Sequence, residues 1–288
     1  MSWPTCSSRK TDAFSAQSVK TTSYLLGTHG EELERLRFQN QLWRPTAAAA
    51  WQRAGLQSGE RVLDLGAGPG FAAMDLAQVV GPSGRVLGLE LSPVYVDAGN
   101  ALVREAGIAQ LQLRQQDLLH DAWPEERFDM LWSRWVAMFL PQLEPLLRGA
   151  EACLRPGGRW VIHEYVHWDT FALHPHGEAI QRFGQACQQS FRASGGDPDV
   201  NRRLPALLSE RGWALEDLQP LPVMGGPGSM AAQWMEQFVA VYGSRLQTLG
   251  LWSTSDASQA QREILRSHRQ GGCYWVGPTL LEVRATRS

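Results

Sequence analysis

The sequence predicts an α/β protein: a doubly wound, Rossmann-like sheet of seven strands, mostly parallel, with helical cap insertions. Three observations predict it. Short apolar runs alternate with segments of helical period between Arg61 and Tyr165. A glycine-rich turn, Gly66-Ala67-Gly68-Pro69-Gly70, separates the first run from the first of those helices. With 288 residues, 43% hydrophobic and 19% charged, the chain has material for a large core.

Residues 1–20 are rich in Ser and Thr, lack periodicity and read as a loose tail. Residues 21–57 form an N-terminal segment whose pattern is helical from Thr28 to Leu56, with Leu33, Leu36, Leu42 and Trp43 near helical spacing. The core domain spans 58–167. Strands are expected at 61–65, 85–91, 111–116, 128–133 and 159–165. Helices are expected at 71–80, 93–106 and 143–154, with a turn at 155–158. Residues 168–288 hold the rest of the core. A sixth strand lies within 213–224 and a closing strand within 273–285, and cap insertions occupy about 168–196 and 227–271. Within the caps, Ile180, Phe183, Cys187 and Phe191 make one helical stripe and Trp234, Phe238, Val241 and Tyr242 another.

The balance of 27 basic and 29 acidic residues gives a net charge of −2, which argues against gripping nucleic acid or an acidic membrane through bulk charge. Lysine occurs only at Lys10 and Lys20, which excludes a phosphate-loop Gly-Lys-Ser/Thr or a Schiff-base lysine in the folded body. Four scattered cysteines, with no CxxC pair, indicate neither a disulfide framework nor a zinc site. No apolar run has transmembrane length and the first residues lack a secretory h-region, so a cytoplasmic protein is expected.

The stretch Val62-Leu63-Asp64-Leu65-Gly66-Ala67-Gly68-Pro69-Gly70 carries the chemistry. A glycine turn between strand and helix lets a ligand approach the backbone and meet free N–H groups. The spacing is G-x-G-x-G, and Phe71 stands where the dinucleotide pattern G-x-G-x-x-G has its third glycine. This motif resembles the first motif of class I S-adenosylmethionine-dependent methyltransferases. Glu90, twenty residues past Gly70, Asp117-Leu118, the run 128–133 and the turn 154–158 resemble the later landmarks. The resemblance covers about 35–165. The segment from Tyr24 through Gln39 to Gly59 is similar to small-molecule enzymes of the quinone C-methylating group.

That resemblance implies S-adenosyl-L-methionine as cofactor. It implies Asp64, Gly66, Ala67, Gly68 and Gly70 around the amino-acid end, Glu90 and Leu91 at the ribose, and Asp117 and Leu118 at adenine. Tyr24 and Gln39 would close over the methionine end, with Ser133 and Arg134 facing the cofactor after the fourth strand. For Gln39 helix packing is an equal alternative, and for Arg134 a structural ion pair is. Four of the seven histidines (His163, His167, His174, His176) lie between 163 and 176, at the end of the fifth strand and just past it. Among them His167 is the first candidate for a general base, and Glu164 is the next; cap packing is the competing reading for each. No ligand spacing supports a metal.

The expected activity is methyl transfer to a small, largely apolar molecule at oxygen, carbon or nitrogen, in a capped pocket, with no nucleic-acid or membrane partner. Nothing in the sequence points to an oligomeric state. The alternative is a protein of the same fold that binds the cofactor without transferring methyl.

Overall fold

The computed structural model describes residues 30–288, and the side chains from Glu32 onward. Helix α1 (Gly30–Arg53) leads into β1 (Arg61–Leu65), α2 (Phe71–Val80), β2 (Arg85–Glu90), α3 (Pro93–Glu105), β3 (Leu111–Gln115) and β4 (Phe128–Arg134). After these come α4 (Glu144–Cys153), β5 (Leu154–His167), β6 (Ala172–His174), α5 (Glu178–Ala193), α6 (Leu204–Glu210) and β7 (Ala214–Leu221). The chain ends with β8 (Met224–Gly225), α7 (Met230–Thr248), α8 (Thr254–Ser267), β9 (Tyr274–Val276) and β10 (Thr279–Thr286). No helix among the described residues is long and apolar enough to cross a membrane.

The main sheet has the order β3-β2-β1-β4-β5-β10-β7. The first five strands run parallel, and β10 lies antiparallel to both β5 and β7. Strands β1, β2 and β4 are buried almost throughout, because helices cover both faces. Edge strand β3 instead alternates buried Leu111 and Leu113 with more exposed Gln112 and Arg114. One core layer gathers Leu63, Leu65, Leu87, Leu89 and Leu131; the opposite layer gathers Val62, Val86, Met130 and Trp132. Each such fully buried aliphatic side chain is worth about 1.5–3 kcal/mol.

The second half departs from the expected single closing strand. Gly277-Pro278 interrupts it, so β9 leaves for a separate three-stranded sheet, β6-β9-β8, and only β10 joins the main one. The sixth strand expected within 213–224 is β7, and the short β8 that follows it belongs to the second sheet. Helix α8 begins at Thr254, where Ser253 and Asp256 form a reciprocal capping box. The expected turn at 155–158 lies within the bounds of β5, beside a register shift against β4.

Candidate functional site

Strand order reverses between β1 and β4. One run of the chain steps from β1 to β2 and β3, the other from β4 to β5. Ligands of open α/β sheets bind beyond the carboxyl strand ends at such a point. A cavity of about 610 Å³ opens there.

The floor is the β1–α2 turn. Gly68 has φ +56°, a left-handed conformation, and a Cβ placed on it would meet nothing within 4 Å. Its backbone therefore faces the cavity unshielded. Gly70 also has positive φ, but a Cβ there would meet Leu113 at 2.9 Å, and Gly70 is absent from the cavity lining. It serves close packing of α2 on the sheet.

Three carboxylates from successive strand tips line the same cavity: Asp64, Glu90 and Asp117. Glu90 accepts the Gly68 N–H at 2.9 Å and the Ser92 N–H at 2.8 Å. Burial raises its pKa, against the lowering effect of those N–H groups. Burial pushes Asp64 up to about 8, opposed by Arg134 and reinforced by Glu90. Burial is the largest single influence on Asp117 and raises its pKa, but His120 at 2.9 Å and the Leu119 N–H at 2.8 Å together outweigh it and lower the pKa.

Arg134 donates to Asn40 Oδ1 at 3.1 Å and lies 5.1 Å from the centre of the Trp135 ring. Burial brings its pKa down to about 10, with Asp64 opposing. Asp64 Oδ2 and Arg134 Nη1 are buried without hydrogen-bond partners among the described residues. An orphaned carboxyl oxygen and an orphaned guanidinium N–H suit a zwitterion, whose ammonium would draw Asp64 into its charged form. From α1, Gln39 accepts from Arg35 at 3.1 Å and from the Trp234 indole at 2.9 Å, which ties the N-terminal helix to α7 across the cavity mouth.

Beyond the polar floor the cavity is aromatic. Trp135, at φ +55°, stacks between Tyr165 and Trp234, with centroids 5.7 and 6.0 Å away. Trp168, Phe171, Phe191 and Phe238 extend the lobe. Burial raises the Tyr165 pKa, so its hydroxyl keeps its proton.

Of the site residues read from sequence, Gln39, Asp64, Gly66, Ala67, Gly68, Glu90, Leu91, Asp117, Leu118 and Arg134 meet in this cavity. Tyr24 lies outside the described residues. Ser133 does not line the cavity. Successive strand residues face opposite ways, so Ser133 turns from the face of Trp132 and Arg134 and accepts the Trp160 indole N–H at 3.1 Å.

Both candidate bases are corrected. His167 is exposed, off the cavity, 3.4 Å from the Arg202 guanidinium. The pairing of β5 with β10 slips beside Tyr165, so one extra residue breaks the alternation that would carry His167 to the pocket side. Glu164 is fully buried and absent from the lining. It accepts the N–H groups of Val136 and Ala137 at 2.6 and 2.7 Å. His163 is buried against Glu282 at 3.1 Å, and His174 and His176 are exposed away from the pocket. Sequence reasoning missed Arg35, Asn40, Tyr165 and Arg245; the only available signal was the α7 stripe Phe238, Tyr242, Arg245 at helical spacing.

The fold and cavity define a class: a doubly wound protein with a ligand site at the switch point. The chain belongs to the methyltransferase-domain family, whose model matches residues 56–205, more than half its length. It is similar to arsenite methyltransferase of Halobacterium salinarum, 30% identical over 41% of this chain and 30% of that protein. It is also similar to demethylmenaquinone methyltransferase of Lactococcus lactis, 30% identical over 45% of this chain and 50% of that one. The chain thus spans half or less of the length of these relatives. Among solved structures, a putative methyltransferase from Bacillus halodurans superposes with a TM-score of 0.55 at 18% identity, covering 84% of this chain and 98% of that one.

Proposed function

We propose that the protein transfers a methyl group from S-adenosyl-L-methionine to a small, largely apolar molecule, at oxygen, carbon or nitrogen. The observation that carries this reading is the convergence of Asp64, Glu90 and Asp117 on one cavity with the unshielded Gly68 backbone. When bound, the cofactor supplies an electrophilic methyl on a sulfonium. Asp64 and Arg134 would hold its zwitterionic end, Glu90 its ribose hydroxyls and Asp117 its adenine edge. The aromatic lobe would take the acceptor, exclude water and favour a nearby cation.

No histidine lines the cavity among the described residues, apart from His120, which is bonded to Asp117. Catalysis therefore rests on alignment inside a dry pocket, with the protonated Tyr165 hydroxyl available to orient the acceptor.

Calorimetric titration with S-adenosylhomocysteine tests the cofactor site. Binding is expected in the wild type, weakened about tenfold or more in Glu90→Gln by loss of charge-assisted bonds. Absence of binding, or preferential binding of NAD, refutes the reading. A labelled-methyl assay over a metabolite extract then separates transfer from binding alone. Labelled small product supports transfer, and cofactor binding without any product favours a non-transferring member of the fold.

A further inference from the structure

We infer that the acceptor carries an oxyanion, a carboxylate, and that Arg245 of α7 recognises it at the outer end of the aromatic lobe. The inference rests on the function proposed above, since it takes that lobe as the acceptor pocket.

The charge distribution along the cavity leads there. At the floor, Asp64 stands against Arg134 and Asp117 meets His120, while on α1 the cavity-lining Arg35 pairs with Glu32 at 2.7 Å. The lobe formed by Trp168, Phe171, Phe191 and Phe238 is otherwise apolar, and Arg245 is the charged side chain that lines it. No carboxylate lies within 4 Å of the Arg245 guanidinium among the described residues, and its Nε is buried without a hydrogen-bond partner.

An arginine in the last turn of a helix ordinarily serves the carbonyl end and the macrodipole. Arg245 does not fit that role alone. Helical side chains lean toward the N-terminus, and Arg245 lies over the preceding turn beside the Tyr242 hydroxyl. Tyr242 stacks on Phe238 and Phe191, with centroids 5.3 and 5.6 Å away, which places the guanidinium at the end of the aromatic wall. The Tyr242 hydroxyl bonds Ser190 at 2.7 Å and also meets the Arg245 side chain, which holds the guanidinium in place but leaves its Nε unpartnered, and the carbonyls ending α5 have their own donors. The buried N–H of Arg245 is left for a ligand, and a planar fork of donors matches a carboxylate.

Phe238 and Arg245 line the cavity from one face of α7, with the buried Tyr242 ring behind them, so the two measure a molecule along its length. The flat apolar body lies against the rings, the anion meets Arg245, and the accepting atom points toward Tyr165 and the cofactor floor. A neutral ligand of the same shape would leave the guanidinium desolvated and unmatched.

The test uses 2-naphthoate and its neutral isostere 2-naphthamide, titrated into the full chain with and without S-adenosylhomocysteine and followed by tryptophan fluorescence. The wild type is expected to bind the acid at least about tenfold more tightly than the amide. Arg245→Met is expected to abolish that preference and Arg245→Lys to restore part of it, both with unchanged S-adenosylhomocysteine affinity. Equal binding of acid and amide by the wild type, no binding of the acid, or a preference that survives in Arg245→Met overturns the inference. The S-adenosylhomocysteine titration reports the cofactor site by itself. A wild type that binds it but ignores the naphthoate charge refutes this inference alone, and one that does not bind it refutes the function.

Discussion

The Val136 N–H donates to Glu164 Oε1 at 2.6 Å, and the neighbouring Ala137 N–H shares the same oxygen at 2.7 Å. This buried carboxylate pins the loop that follows Trp135, whose φ of +55° is costly for a bulky residue. Glu164 thus positions the aromatic wall and does not touch the cavity. Burial pushes its pKa up to about 7, against the N–H groups that favour its charged form. Glu164→Ala should leave two buried donors unmatched and cost about 2–4 kcal/mol by urea denaturation. Glu164→Gln, which keeps an acceptor, should cost less and retain most turnover. A Gln variant that folds with wild-type stability yet loses all turnover would return Glu164 to the role of base.

Gly68 and Gly70 share a left-handed conformation and differ in their surroundings, which separates binding from stability. Alanine at either position carries about 1–2 kcal/mol of backbone cost. At Gly70 the added methyl also strikes Leu113, so Gly70→Ala should lower stability further while leaving S-adenosylhomocysteine affinity within a few fold in the folded protein. Gly68→Ala has room, and its methyl projects where the ligand would lie. Its stability should fall by the backbone cost alone, with affinity reduced at least about tenfold. Parallel thermal unfolding and calorimetry on the two variants would expose a reversed pattern.

The pocket floor was legible because its geometry is local. A strand of five residues, a glycine turn and a helix fix Asp64 and Gly68 within one short segment, and β2 then has to end at Glu90 beside β1. The errors fall where orientation depends on distant partners. Ser133 and Arg134 are neighbours in sequence, and only strand parity sends one to Trp160 and the other to the cavity. The slip of β5 on β10 beside Tyr165 involves residues more than a hundred positions apart, and no local pattern announces it. The division of the closing strand has the same origin, because β9 pairs with β6 and β8, far away in the chain. Arg245 was hidden for another reason: a lone arginine near a helix end looks like an ordinary surface cation until its surroundings are known.

His167 supplies a sharp check on the corrected site. It is exposed and its ring contacts Arg202 only at 3.4 Å, so its removal costs neither packing nor an established ion pair. His167→Ala should keep turnover within about twofold and stability within about 0.5 kcal/mol of the wild type. A loss of turnover with intact cofactor affinity would show that the ring reaches the acceptor in the closed complex.

Asp64 should set part of the pH dependence of stability. Its pKa rises from 3.8 to about 8 on folding, chiefly through burial. Between those values the native state holds the proton more firmly than the unfolded chain, so stability falls as pH increases. The contribution is whole below about pH 4 and is lost as pH climbs through about 8. Asn at position 64 has nothing to titrate and keeps the shape. Asp64→Asn should therefore flatten the decline in unfolding free energy between pH 5 and 9 by at least about 1 kcal/mol. Glu164, raised to about 7, leaves a residual slope of the same sign. The same substitution should weaken S-adenosylhomocysteine binding, because the ammonium would lose its anionic partner. Stability gained at alkaline pH together with affinity lost is the signature of a carboxylate held at the pocket floor for its ligand; an unchanged pH slope would mean that Asp64 is already ionised in the free protein.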